Sequence, residues 1–185
     1  MGVLVRCCVV TAIALGGLFL GATGLGAQSA SAPDLTAAFL FNFVKFTTWP
    51  ADVLPDTNPI VVCVSGDDRV ADSLVQLTRN KSVGGHPLSV RRTNLDQPLS
   101  GCHVVYGAAL DGTRAQQLIR TASGQAILTV SDSSDFARRG GVANFFMDGD
   151  RMRFAVNPAA ADRARLRISS NLLTLATVVR DDGRP

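Results

Sequence analysis

Phe39-Leu40-Phe41-Asn42-Phe43-Val44-Lys45-Phe46-Thr47-Thr48-Trp49-Pro50 holds four of the nine phenylalanines and the only tryptophan of the chain. Aromatic side chains at that density need a broad apolar surface to bury against, so the segment has to pack on a core. Pro33-Asp34 can open a helix, and the spacing predicts one through roughly Trp49, stopped by Pro50. Leu35, Phe39, Phe43, Phe46 and Pro50 trace one broad face of it, and Phe41 and Lys45 share another.

The residues before this helix read as an export leader. Arg6 supplies one positive charge, Cys7 to Leu20 is apolar and uncharged, and small residues and glycines run on to Ala32. This pattern fits a signal peptide over 1–30, with cleavage between 27 and 32, better than a glycine-rich folded helix. A retained membrane anchor is the competing reading, and its apolar run is shorter than the ~20 residues a span needs. Cys7 and Cys8 precede the apolar stretch, the wrong side for lipid attachment. About 155 residues remain, enough for one domain over 33–180 with a short tail at 181–185.

Loss of the leader removes Arg6 and lowers the formal charge from +3 to +2. Arg91-Arg92 and Arg138-Arg139 are isolated pairs rather than a stripe, so nucleic acid is not an expected partner. Two cysteines remain, Cys63 in Ile60-Val61-Val62-Cys63-Val64 and Cys102 in Cys102-His103-Val104-Val105-Tyr106. In an oxidising compartment they are disulfide candidates, with two buried thiols as the alternative. A zinc site is the weaker option, because His103 would point to the opposite strand face and His86 adds only one further ligand.

Along the rest of the chain, strands are expected at 60–64, 88–92, 102–106 and 126–130, and helices at 68–78 and 111–121. Ser131-Asp132-Ser133-Ser134-Asp135 reads as the start of a short helix, and 145–154 as a hairpin around Asp148-Gly149. Asn157-Pro158 opens a helix toward Leu166, and Ser169-Ser170-Asn171 a last one ending near Val179. The alternation predicts a single layered α/β domain. Its mostly parallel or mixed sheet is covered by helices, with the C-terminal hairpin as an antiparallel edge.

Chemistry in such folds gathers at the carboxyl ends of strands. Ser65, Gly66, Asp67 and Asp68 follow one strand, and Ser131, Asp132 and Asp135 another; serine and aspartate there commonly cap helices. No glycine spacing of a phosphate loop, no Gly-x-Ser-x-Gly elbow and no calcium loop is present. The expectation is therefore a binding protein without catalytic residues, cofactor or metal. Phe41 and Lys45 form one candidate partner surface, and Phe145, Met147, Arg151 and Arg153 of the hairpin another. A small-molecule cleft beside Ser65, Asp67, Ser131 and Asp132 is the alternative, and a hydrolase the minor one.

Phe39 to Phe46 with Trp49-Pro50 resembles the opening signature of the YfiR family of periplasmic regulators of cyclic-di-GMP signalling. The likeness continues in order through Val62-Cys63-Val64-Ser65-Gly66-Asp67-Asp68, Gly101-Cys102-His103-Val104-Val105 and Ile127-Leu128-Thr129-Val130-Ser131-Asp132. It closes with Gly140-Gly141-Val142, Arg153-Phe154-Ala155-Val156-Asn157 and Ile168-Ser169-Ser170-Asn171-Leu172-Leu173 with Ala176. The resemblance implies a homodimeric periplasmic regulator that binds the periplasmic portion of an inner-membrane diguanylate cyclase and holds it inactive. An outer-membrane or lipoprotein partner could capture it in turn. The family disulfide would fall on Cys63 and Cys102. A second pair found in some relatives has no counterpart, since 136–146 contains no cysteine.

Overall fold

The computed structural model describes residues 31–182. The expected leader over 1–30, with Cys7, Cys8 and most of the cleavage window, and the end of the expected tail lie outside the described residues.

Ser31 caps the first helix, α1 (Ala32–Lys45). Its hydroxyl accepts from the Asp34 amide and the Asp34 carboxylate accepts from the Ser31 amide, a capping box that fixes the first turn. The helix stops at Lys45, short of the expected Trp49. Phe46 leaves helical geometry, and the β-branched pair Thr47–Thr48 becomes β1, antiparallel to Arg167 and Ile168. The buried stripe of α1 is Thr36, Ala37, Leu40, Phe43 and Val44, with Phe39 and Phe46 packed at its margin. Leu35, expected on that face, is exposed.

The chain continues as β2 (Ile60–Ser65), α2 (Asp68–Thr78), β3 (Ser82–Val83), β4 (His86–Arg92), β5 (Val104–Gly107), α3 (Gly112–Ala122) and β6 (Leu128–Ser131). Then come β7 (Ala143–Asp148), β8 (Arg151–Val156), α4 (Pro158–Arg163), β9 (Arg167–Ile168), α5 (Ser170–Leu175) and β10 (Thr177–Val178). The main sheet runs β10-β8-β7-β6-β5-β2-β4-β3. Its middle five strands, β7 to β4, are parallel, β8 and β3 run against their inner neighbours, and β10 is parallel to β8. This is the expected mixed α/β sheet covered by helices.

Residues of alternating parity face opposite layers, as a pleated strand requires. Val62, Val64, Val104, Tyr106, Leu128 and Val130 pack toward α1 and α2. Cys63, Val105 and Ile127 pack toward α3, Leu95, Leu99 and Phe136. Phe136 fits because Gly141 has no side chain: a Cβ there would lie 2.2 Å from the ring.

Three expectations are corrected. The hairpin is an edge only over Arg151–Phe154, because Thr177 and Val178 pair with Ala155 and Val156 and cover the end of β8. The last helix therefore ends at Leu175, and the following β-branched residues extend along the sheet. Residues 131–135 start no helix. The Asp132 carboxylate that could cap one accepts instead from the Ala109 amide at 2.6 Å and the Tyr106 hydroxyl at 3.2 Å, and Asp135 sits at φ 57°.

Candidate functional site

Because β2, β5 and β6 are parallel and in register, Ser65, Gly107 and Ser131 stand level at the carboxyl edge of the sheet. The Ser131 hydroxyl and the Ser65 and Gly107 carbonyls are spent on the fold, the Ser65 carbonyl accepting from the Ala108 amide at 2.9 Å. The buried Ser131 hydroxyl donates to the Gly107 carbonyl at 2.7 Å and accepts from the Ser133 amide at 3.0 Å. Asp67 caps α2, accepting from the amides of Arg69 and Val70. Gly66, at φ 89°, lets this turn approach the next strand end, where a Cβ would meet the Ala108 carbonyl at 2.9 Å. The Tyr106 phenol is pushed up, first by burial and then by the Asp132 and Asp67 carboxylates, so it keeps its proton and serves as a donor. Ser65, Asp67, Ser131 and Asp132 thus share one edge, but among the described residues no hydrogen bond joins either serine hydroxyl to either carboxylate, and Asp132 is held by Ala109 and Tyr106 instead.

The hairpin departs from that same edge. Asn144 pairs with Ser131, the last residue of β6, so Phe145 to Asp148 and their β8 partners project beyond the parallel strands. At ~3.3 Å per residue this overhang is roughly 13 Å. Gly149, at φ 59°, occupies the first central position of a two-residue turn, where a positive φ suits hairpin twist. Its base is held by aromatic packing: Phe145 stacks on Phe43 at 5.5 Å, and Phe154 meets Phe43 edge-on at 5.2 Å. Phe145 is consequently a buried core residue and is removed from the candidate partner surface. Met147, 60% exposed, and the exposed Arg151 and Arg153 remain on it. Arg153 pairs with Asp148 at 3.1 Å, which leaves Arg151 as the hairpin guanidinium with no carboxylate partner among the described residues.

Phe41 and Lys45 lie on another flank of α1, facing the residues that follow α2. The ammonium groups of Lys45 and Lys81, the only lysines of the chain, sit 5.9 and 5.1 Å from the Phe41 ring centroid. The hairpin packs instead against the Phe39 and Phe43 flank, so the two candidate surfaces do not merge. Sequence reasoning missed Lys81; the scarcity of lysine was the signal that could have found it.

Cys63 and Cys102 form a disulfide with their Cα atoms 5.8 Å apart, tying β2 to the approach of β5. Both are buried on the α3 side, and Arg91 donates to Cys102 Sγ at 2.9 Å. The neighbouring His103 is structural. Its Nδ1 accepts from the Val61 amide at 3.1 Å, and its carbonyl accepts from Trp49 Nε1 at 3.3 Å. Burial pushes its pKa below the ordinary histidine value, against an opposing pull from the Val53 carbonyl.

The family model described as YfiR/HmsC-like matches residues 33–177. Among solved structures, the chain is similar to a conserved domain protein from Vibrio cholerae O1 biovar El Tor strain N16961. The identity is 14% and the TM-score 0.49, over 80% of this chain and 60% of that one. This chain therefore spans less than two thirds of that protein's length.

Proposed function

The chain belongs to the YfiR/HmsC-like family, and on that premise we propose that it is a non-enzymatic periplasmic regulator of cyclic-di-GMP signalling. It binds the periplasmic portion of an inner-membrane diguanylate cyclase and lowers its output. The export leader over 1–30, a single domain over 33–180, a homodimeric state and capture by an outer-membrane or lipoprotein partner belong to the same proposal.

The observation that favours a particular surface is the overhanging hairpin. It presents Met147 on one face and the unpaired Arg151 on the other, at the tip of a stem whose position is fixed by buried phenylalanines. A flexible apolar side chain and a guanidinium carried by one projecting tip, on a rigid support, suit protein recognition. The polar carboxyl edge suits it less, because Ser131, Asp67 and Asp132 are occupied by backbone groups.

The test is to capture partners of the oxidised protein from detergent-solubilised membranes of its own cells. The retained cyclase is then assayed for conversion of GTP to cyclic-di-GMP with and without added protein. Retention with a fall in turnover supports the reading. Turnover unchanged at saturating protein overturns it and moves the function to ligand sensing.

A further inference from the structure

The Arg138-Arg139 pair, Gly140 and the C-terminal aspartates take no part in the surfaces described above, yet they meet in one place. A cavity of about 1040 Å³ lies between α3, the 135–142 segment, α4 and Asp181–Asp182. Its lining divides by chemistry. Ile119, Ile127, Val142 and Ala160 give it an apolar wall, and Arg138, Arg139 and Arg163 bring three guanidinium groups.

Those guanidiniums are unevenly satisfied. Arg163 Nη1 holds the Asp181 carboxylate at 2.7 Å. Arg138 is only loosely engaged, 3.8 Å from Asp135 and 3.9 Å from Asp182. Arg139 has no carboxylate within ion-pair distance among the described residues, and its Nη1 lies beside the backbone of Gly112. Of the three lining carboxylates, two come from the C-terminal segment. Without them, three arginines face Asp135 alone and the lining carries two net positive charges.

The segment is docked by further bonds. Asn157 Nδ2 donates to the Asp181 carboxylate, and the Asp182 amide donates to the Arg138 carbonyl at 3.0 Å. Gly140 sits at the boundary between the two kinds of lining. A Cβ there would stand 3.8 Å from Arg163 Nη2 and 3.7 Å from Ile119 Cγ2, and φ 108° disfavours any side chain.

We propose that this cavity is a binding site for an amphipathic organic anion, a single anionic head group on a short apolar body, and that Asp181 and Asp182 are its built-in competitors. The guanidiniums would take the head through charge-assisted hydrogen bonds. The wall formed by Ile119, Ile127, Val142 and Ala160 would take the body. A cavity of this size accommodates a small organic molecule. The entering head displaces the aspartates from Arg163 and Arg138, so binding is coupled to release of the C-terminal segment. This inference does not depend on the cyclase reading.

Octyl phosphate below its micellar concentration is the probe, titrated calorimetrically into the full chain. Saturable one-to-one binding is expected. Arg139→Gln, which breaks no ion pair, should weaken it by about tenfold, the loss of one charged hydrogen bond. Asp181→Asn with Asp182→Asn should tighten it severalfold. Competition by phosphatidylglycerol vesicles would assign the natural head group to a lipid, and lack of competition to a free small acid. No saturable binding to the wild-type chain, or binding indifferent to Arg139→Gln, overturns the proposal. The Arg139 comparison decides it even if the double aspartate variant fails to fold.

Discussion

Phe43 lies flat against Phe145, the ring planes 6° apart and the centroids 5.5 Å apart. One residue belongs to the first helix and the other to the base of the hairpin, so the stack ties together two elements far apart in the sequence. Phe154 closes on Phe43 from the side at 5.2 Å. The helix is therefore the clamp that aims the hairpin.

Phe43→Ala removes that clamp and leaves a cavity. We expect a loss of about 3–5 kcal/mol in urea unfolding, with a loss of aromatic near-ultraviolet dichroism. A loss under 1 kcal/mol would show that the hairpin is positioned by its own strands.

Replacing both Cys63 and Cys102 with alanine should cost up to about 4 kcal/mol, since the bridge spans 39 residues. Guanidinium unfolding of the oxidised protein and the double variant measures this. Because both cysteines are buried, reductant should attack on the timescale of domain opening, and a rate independent of denaturant would contradict that.

Met147→Asp combined with Arg151→Asp should weaken cyclase binding by at least tenfold, on the order of one lost hot spot, while the melting temperature stays close to wild type. Phe41→Ala is the control from the other flank of α1. If Phe41→Ala abolishes binding and the hairpin variant does not, the lysine-flanked surface is the interface.

His103 should make the domain less stable in mild acid. Its folded pKa lies below the ordinary histidine value, so the unfolded chain binds the proton more readily and stability rises with pH through that window. The stabilisation is complete above the unfolded pKa, near 6.5, and declines as pH falls toward the folded one. Unfolding at pH 7.5 and pH 5 with wild type and His103→Gln checks it, and the variant should lose part of the difference.

The sheet and most of its helices were legible because their signals are local. Apolar runs bounded by glycine and proline mark β2, β5 and β6, and Asp67 and Asn157 sit at helix starts where their side chains cap. The failures share a cause. Thr47–Thr48 and Thr177–Val178 are strands only because partners distant in sequence, Arg167–Ile168 and Ala155–Val156, stand ready to pair. Asp132 carries the pattern of a helix cap, but Tyr106 and Ala109 claim its oxygens.

The candidate site was legible unevenly for the same reason. Met147, Arg151 and Arg153 could be placed on a hairpin from its turn, whereas the burial of Phe145 depends on Phe43 stacking across from another element. The level alignment of Ser65 and Ser131 follows from register that no single strand encodes.

The borders of the main sheet are β3 and β10, two residues each. Each covers only two residues of its neighbour, so Leu88–Arg92 of β4 and Arg151–Phe154 of β8 stay open along the outer edges, and both open stretches carry an arginine pair, Arg91–Arg92 and Arg151 with Arg153. Charge, rather than closure of the sheet, is what discourages the sheet of another copy from pairing along it.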